Sequence, residues 1–161
     1  MNQPVHLTVN QQRRCLDVEP DTPLLFALRN HLGLMAAKLG CGLEQCGACA
    51  VLVNGAATLT CQRASATFAD AHIETLEGLH DDPTWQRLQQ AMIAERAAQC
   101  GYCSSGIVIA LVALLRHNQQ PSRADVAQAL DGHLCRCGAH ARIFAAVERA
   151  ARAAQLQGAS T

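Results

Sequence analysis

The chain has 161 residues, half of them hydrophobic, and 13 basic residues balance 13 acidic ones, so the formal net charge is zero. A balanced charge creates no field that attracts a nucleic-acid backbone or an anionic membrane, and we expect neither as a partner. The longest apolar run, residues 107–115, is far shorter than the ~20 residues that cross a bilayer, so direct membrane insertion is not expected.

The N-terminal residues contain no apolar segment of the kind that defines a secretory signal peptide, and we expect a cytoplasmic protein. Arg13 and Arg14 are interpreted as the solvated face of a strand.

The chain has nine cysteines. Thiols stay reduced in the cytoplasm and nine is an odd number, so a disulfide framework is disfavoured and metal binding explains the cysteines better.

The first half of the chain has patterns typical of strands. Alternating apolar residues at 5–9 and 16–18 predict a hairpin that turns at residues 10–12. Asn54-Gly55 is the strongest short-range signal for a second hairpin. A short strand is expected near residue 73, with Ile73 and Leu76 facing inward.

One helix is predicted between the two hairpins. Thr22 is the candidate N-cap, Pro23 suits the first helical position, and Gly33 ends the helix. Its core-facing residues are expected to be Leu24, Leu25 and Leu28. The first half is therefore mixed α and β structure.

The second half has helical periodicity and no strand pattern. Ser122 and Asp125 form a variant of the capping box at the start of the third helix of this half. The four predicted helices cover residues 83–99, 106–118, 121–130 and 141–154. We expect a domain boundary between residues 78 and 79, which divides the chain into 1–78 and 79–161.

Eight cysteines fall into two groups of four. The first group has the spacing C-x4-C-x2-C-x11-C, and its first three members match the plant-type ferredoxin pattern for a 2Fe–2S cluster. Glycines at 40, 42 and 47 allow the backbone to wrap closely, so that its N–H groups point at sulfur. A structural zinc site is the alternative, although zinc sites prefer shorter spacings. The group consists of Cys41, Cys46, Cys49 and Cys61.

The second group has the spacing C-x2-C, then 31 intervening residues, then C-x-C. Spacing alone leaves zinc and iron–sulfur open. Cys103 precedes an apolar helix that begins at Ser104, and a helix N-terminus offers free N–H groups and a positive dipole end to an anionic cluster. This context favours iron. The group consists of Cys100, Cys103, Cys135 and Cys137.

The ninth cysteine and two histidines are further candidate ligands. Cys15 is expected to be a small buried hydrophobic residue in a strand. His133 and His140 flank the C-x-C and raise the alternative of a Rieske centre, but eight cysteines already complete two four-thiolate sites. No nucleophile elbow, zinc-protease motif or phosphate loop is present. We therefore expect a chain that carries electrons and has no catalytic residues of its own.

Five stretches together resemble a known family: GCGLEQCGACAVLVNG, TLTC, TLEGL, QCGYC and LCRCG. In this order they are similar to the small 2Fe–2S subunit of the molybdenum hydroxylases, the xanthine dehydrogenase and aldehyde oxidase family. The resemblance runs from about residue 25 to residue 147. It implies an α+β chain: a β-grasp, ferredoxin-like domain followed by an all-α four-helix bundle, with one 2Fe–2S cluster in each.

The resemblance also implies an order of electron flow through a complex. The helical domain's cluster would lie nearest a molybdenum–pterin cofactor in a large partner subunit, and the ferredoxin-like cluster would lie toward the exit. Gln99 matches the family's glutamine that hydrogen-bonds the pterin, and its amide offers both a donor and an acceptor. Cys137 would approach the amino group of the pterin.

Two differences from the common family pattern bear on the electron acceptor. This chain has CRCGAH where much of the family has CRCTGY, and CSSG where CTPG is common. The CRCG form resembles the small subunits of bacterial dehydrogenases for isoquinoline, nicotinate and aldehydes. Several of these pass electrons to cytochrome c domains, so the acceptor is expected to be a cytochrome c domain or a flavin subunit.

Two other functions compete with this one. The first is a structural or interaction module in which eight thiolates hold two zinc ions without redox work. The second is a free-standing ferredoxin with no large subunit, which the helical domain and Gln99 argue against.

Overall fold

The computed structural model describes residues 4–158, with side chains as far as residue 156. Its first half contains a mixed five-stranded sheet with the strand order β2-β1-β5-β3-β4. The pair β1–β5 is parallel and the other pairs are antiparallel. The strands are β1 (Val5–Val9), β2 (Gln12–Leu16), β3 (Val51–Val53), β4 (Ala56–Thr58) and β5 (His72–Glu74). The ferredoxin-like architecture expected for this half is confirmed.

Both hairpins turn through two residues in the left-handed region. The φ angles are 49° and 64° at Asn10 and Gln11, and 50° and 82° at Asn54 and Gly55. Two successive positive φ angles match the right-handed twist of the flanking strands. Both predicted hairpins are confirmed, although the first turn is one residue shorter than expected.

The predicted first helix is present, but its start differs from the prediction. α1 (Leu24–Phe26) continues directly as a π-helical segment, Ala27–His31, and Pro23 is the N-cap without a side-chain cap. Thr22 as the N-cap was therefore wrong. The physical reason is that the free amides of Leu24 and Leu25 donate to the carbonyl oxygens of Arg63 and Thr60, at 2.8 and 3.2 Å, so no cap is needed. The three predicted core leucines are fully buried.

The structure differs from two other predictions for this half, which concern Cys15 and Leu76. Cys15 is exposed on β2, because its neighbour Leu16 takes the inward position and successive side chains of a strand point to opposite faces. The expected burial of Cys15 was therefore wrong. After β5 the chain forms a 3-10 turn, Leu76–Leu79, in which Leu79 is buried and Leu76 is half-buried.

Four helices form the second half, as predicted. They are α2 (Pro83–Ala94), α3 (Ser104–His117), α4 (Arg123–Ala129) and α5 (His140–Gly158). Asp82 caps α2 by accepting a hydrogen bond from the amide of Trp85. Ser122 and Asp125 complete the expected capping box of α4. None of the helices within residues 4–158 combines the length and the apolar character needed to cross a membrane.

The central element is α3, which packs on the sheet as well as on the other helices. Residues 107–112 of α3 are all buried. Ala50 and Leu52 from the sheet belong to the same buried cluster as these helical residues. A second buried cluster lies between the sheet and the first helix. Because an apolar surface joins the two halves, the loops that carry the cysteines are held at fixed positions relative to each other.

Candidate metal centres

Three of the first four cysteines lie in the loop before β3, and the fourth lies in the segment that follows β4. Their thiols meet as two pairs: Cys41 with Cys46, and Cys49 with Cys61. The pairs differ in burial, because Cys41 is exposed and Cys46 half-buried, whereas Cys49 and Cys61 are both buried. One side of this group therefore faces solvent and the other faces the protein core.

Backbone amides surround these sulfur atoms. The Sγ atom of Cys41 accepts hydrogen bonds from two amides of its own loop. The Sγ atom of Cys46 accepts one from the amide of Cys41, and those of Cys49 and Cys61 accept one each. The N–S distances are 3.2 Å from Gln45 and 3.3 Å from Leu43 to Cys41, 3.3 Å from Cys41 to Cys46, 3.4 Å from Thr60 to Cys49, and 3.4 Å from Glu44 to Cys61. Donors aimed at sulfur stabilise negative charge on thiolates and on a bound cluster.

Hydrogen bonding and burial give the thiols of Cys41 and Cys61 different pKa values. The amides of Gln45 and Leu43 lower the pKa of the Cys41 thiol to about 7. Burial raises the pKa of the Cys61 thiol to about 11. Cys41 therefore ionises more readily than Cys61, which needs a bound metal to become a thiolate at neutral pH.

Glycine is required where the loop closes on the sulfur atoms. A β-carbon at Gly40 would lie 2.5 Å from Sγ of Cys46. Gly42 and Gly47 have φ angles of 67° and 77°. Glu44 has a φ of 55° in the same loop, although it is not a glycine. The predicted role of glycines 40, 42 and 47 in wrapping the loop agrees with this geometry.

The second four cysteines also meet as two pairs, Cys100 with Cys137 and Cys103 with Cys135. Cys103 is the N-cap of α3, as the sequence indicated, and the C-x-C lies in the connection between α4 and α5. All four line one small cavity together with Gln99. Gln99 and the adjacent Cys100 are exposed. The structure thus brings the five predicted residues of this site together.

The acidities again differ within this group. Burial raises the pKa of the Cys103 thiol to about 11. The amide of Ala139 lowers the pKa of Cys135, and the amide of Tyr102 lowers the pKa of Cys100. Backbone amides therefore favour negative charge on Cys100 and Cys135, as they do on Cys41 in the first group.

The two cysteine groups are in direct contact through their loops. The amide of Leu134 donates a 3.1 Å hydrogen bond to the carbonyl oxygen of Cys46. The hydroxyl of Tyr102, beside Cys103, donates a 2.7 Å hydrogen bond to the carbonyl oxygen of Leu39. A residue of the first ligand loop therefore contacts a residue adjacent to Cys135.

The sequence indicated His133 and His140 only as possible metal ligands and did not predict their packing between the two ligand loops. The ring of His133 is buried against Gly47, and the backbone of Gly47 also touches Gly106 at the start of α3. Nε2 of His140 lies 3.0 Å from the carbonyl oxygen of His133. A glycine at position 106, at the head of an otherwise apolar helix, was a signal for the close approach of the two backbones.

The arrangement in pairs fits a 2Fe–2S cluster, in which each iron takes two thiolates. A zinc ion instead takes four ligands around one point. In the part of the chain that the structure describes, no three His, Cys, Asp or Glu side chains are grouped as ligands of one metal ion.

Comparisons with known protein families also indicate 2Fe–2S clusters. Residues 7–75 match the 2Fe-2S iron-sulfur cluster binding domain, and residues 75–148 match the [2Fe-2S] binding domain. The chain therefore carries two 2Fe–2S-binding domains, which favours iron–sulfur clusters over two structural zinc sites.

Individual relatives align over nearly the whole chain. One of the subunits of nicotinate dehydrogenase from Pseudomonas putida is 45% identical over 94% of this chain and 96% of its own length. The alpha subunit of isoquinoline 1-oxidoreductase from Brevundimonas diminuta is 45% identical over 89% of this chain and 94% of its own length. A chain of quinoline 2-oxidoreductase from Pseudomonas putida 86 superposes with a TM-score of 0.87 at 34% identity, covering 95% of this chain and 96% of that one. This chain belongs to the family of small 2Fe–2S iron–sulfur subunits of the molybdenum hydroxylases.

Proposed function

We propose that all eight cysteines of the two groups are cluster ligands. Cys41 and Cys46 would hold one iron of the first centre, and Cys49 and Cys61 the other. In the second centre the pairs would be Cys100 with Cys137 and Cys103 with Cys135. The thiol contacts within each pair support this assignment. When bound, each 2Fe–2S cluster accepts and releases one electron at a time.

The chain would relay electrons from a large molybdopterin-binding subunit through both centres to an external acceptor. The observation that carries this proposal is the hydrogen bond from Leu134 to Cys46, because it joins the ligand loops of the two centres. The residues' own role is to hold the centres, stabilise their charge through N–H groups and limit the access of water.

The second centre would face the molybdenum–pterin cofactor of the partner subunit. Gln99 is exposed beside it, so its amide is free to bind a pterin edge across an interface, and Cys137 would approach the amino group of the pterin. The first centre would face the acceptor, a cytochrome c domain or a flavin subunit, and its exposed Cys41 would lie on the side of that acceptor.

We place the substrate pocket on the partner subunit, with an N-heterocycle or an aldehyde as the expected substrate. We also propose residues 1–78 and 79–161 as the two domains, since β5 ends at Glu74 and α2 begins at Pro83. The complex would work in the cytoplasm.

The test is metal analysis and EPR spectroscopy of the anaerobically purified complex. About four iron, about four sulfide and two distinguishable signals after reduction are expected per chain. Cys46→Ser should remove the first signal and Cys103→Ser the second. Cys15→Ser is the matched control, because Cys15 is exposed on β2 and belongs to neither group, and it should keep all the iron.

The order of the centres has its own test. With Cys46→Ser, substrate should still reduce the second centre, whereas reoxidation by the natural acceptor should fail. Reoxidation at the wild-type rate would show that the order is wrong. Two zinc ions and no EPR signal would contradict the electron-relay function altogether.

A further inference from the structure

A carboxylate lies in the loop of the first centre, at a backbone position that suits glycine. Glu44 has a φ of 55°, in the left-handed region where a β-carbon costs free energy. Its amide donates to Sγ of Cys61, with an N–S distance of 3.4 Å. The loop therefore needs this backbone conformation, but nothing in the loop geometry requires a glutamate side chain.

The Glu44 side chain is largely covered and poorly paired. Only 24% of it is exposed, and Oε1 is shielded from solvent without accepting a hydrogen bond from the described residues. Nε of Arg63 lies 3.4 Å from Oε1, while 54% of the Arg63 side chain is exposed. A half-exposed pair joined by one long contact adds little stability. The strained backbone and the covered carboxylate of Glu44 have a cost in free energy that this ion pair does not offset. This combination points to a function at residue 44.

We propose that Glu44 and Arg63 form a charge pair that sets the reduction potential of the first centre, an inference that rests on the proposed function. One electron, delivered from the second centre and passed on to the acceptor, makes the first centre more negative. The carboxylate of Glu44, whose amide bonds Sγ of Cys61, disfavours that added charge, and the guanidinium of Arg63, two residues after Cys61, favours it. Glu44 therefore lowers the potential and Arg63 raises it.

The experiment is a potentiometric titration followed by EPR on the intact complex, which resolves both centres in one sample. Glu44→Gln keeps the size of the side chain and should favour reduction of one centre by at least about threefold, which is roughly 30 mV at 59 mV per tenfold. Arg63→Gln should move the same signal in the opposite direction. The double variant should return close to the wild-type value, and the other signal should stay unchanged throughout.

Two controls separate charge near the centre from other effects. Glu148→Gln removes an exposed carboxylate on α5 and should move neither signal. Glu44→Gly removes the charge and the left-handed strain together. It should show the potential shift of Glu44→Gln together with a higher unfolding temperature.

The outcomes test this inference separately from the proposed electron-relay function. Absence of any 2Fe–2S signal in the wild-type complex would overturn the proposed function. Two normal signals that do not move in either single variant, or that both move equally, would overturn the charge-pair inference and leave the relay intact.

Discussion

The imidazole of His133 lies directly against the backbone of Gly47. A β-carbon at residue 47 would be 2.2 Å from Nδ1 and 2.6 Å from Cγ of this ring. The ring thus occupies the space that a side chain at residue 47 would need. This contact fits the loop of the first centre to the loop of the second, beside the hydrogen bond between Leu134 and Cys46.

Gly47→Ala should therefore loosen both loops. Left-handed strain at this residue costs about 1–2 kcal/mol, and overlap with His133 adds to it. We expect a lower unfolding temperature and loss of iron. Gly55→Ala is the matched control, because Gly55 has a φ of 82° but nothing within 4 Å of a built β-carbon. Equal losses in the two variants would mean that the contact with His133 does not matter.

Thr60→Val should destabilise the buried side of the first centre. Thr60 is fully buried, and its hydroxyl donates a 2.7 Å hydrogen bond to the carbonyl oxygen of Cys49. Valine has the same shape but leaves that oxygen unpaired, which costs about 1–3 kcal/mol. Urea unfolding measures the stability, and transfer of iron to a chelator measures cluster retention. Thr60→Ser keeps the donor and should behave much more like the wild type.

Arg116→Met should weaken the connection between the sheet and the helices. The guanidinium of Arg116 binds both carboxylate oxygens of Glu74, at 2.8 and 3.0 Å, and Oδ2 of Asp82. With 29% of the side chain exposed, we expect a loss of about 1–2 kcal/mol, below the full value for charged hydrogen bonds.

The control for Arg116 is Arg149→Met. Arg149 forms an ion pair with Glu95, and 53% of its side chain is exposed. It should therefore change the unfolding free energy by about 0–1 kcal/mol. The unfolding free energy could fall equally in both variants, or the loss in Arg116→Met could be independent of salt. Either result would show that the ion pairs of Arg116 do not connect the two halves.

Removal of the iron should reveal unequal reactivity of Cys41 and Cys61. The pKa of Cys41 is lowered to about 7, so its thiolate predominates at pH 8. The pKa of Cys61 is raised to about 11, so this buried thiol stays protonated there. Mass spectrometry after brief iodoacetamide treatment should find Cys41 modified first. In urea the two rates should converge, and equal rates in plain buffer would show that the loop is unformed without metal.

Local signals predicted much of the fold. Asn54-Gly55 and the capping box of Ser122 act through neighbouring residues, and both are present as expected. Thr22 failed as a cap because the amides of the first turn are satisfied by a segment about 40 residues later. Cys15 was misjudged because cysteine is usually buried, whereas the alternation along β2 faces it outward.

The site followed from cysteine spacing only in part. Spacing predicted which four cysteines form each group, but not that Cys100 pairs with Cys137 and Cys103 with Cys135. Those pairs depend on where the connection after α4 folds back on α3. The contact of His133 with Gly47 spans 86 positions of the chain, and no short-range pattern indicates such a contact.

The hydrogen bond between Leu134 and Cys46 has a consequence for biogenesis. A chain that has received only one cluster has one ordered loop pressed against a loop whose thiols are still free. Filling either centre therefore organises the other, and losing either one exposes its neighbour. Maturation and damage of the two centres should consequently be coupled, so that each centre is retained longer in a chain that holds both clusters than in a chain that holds one.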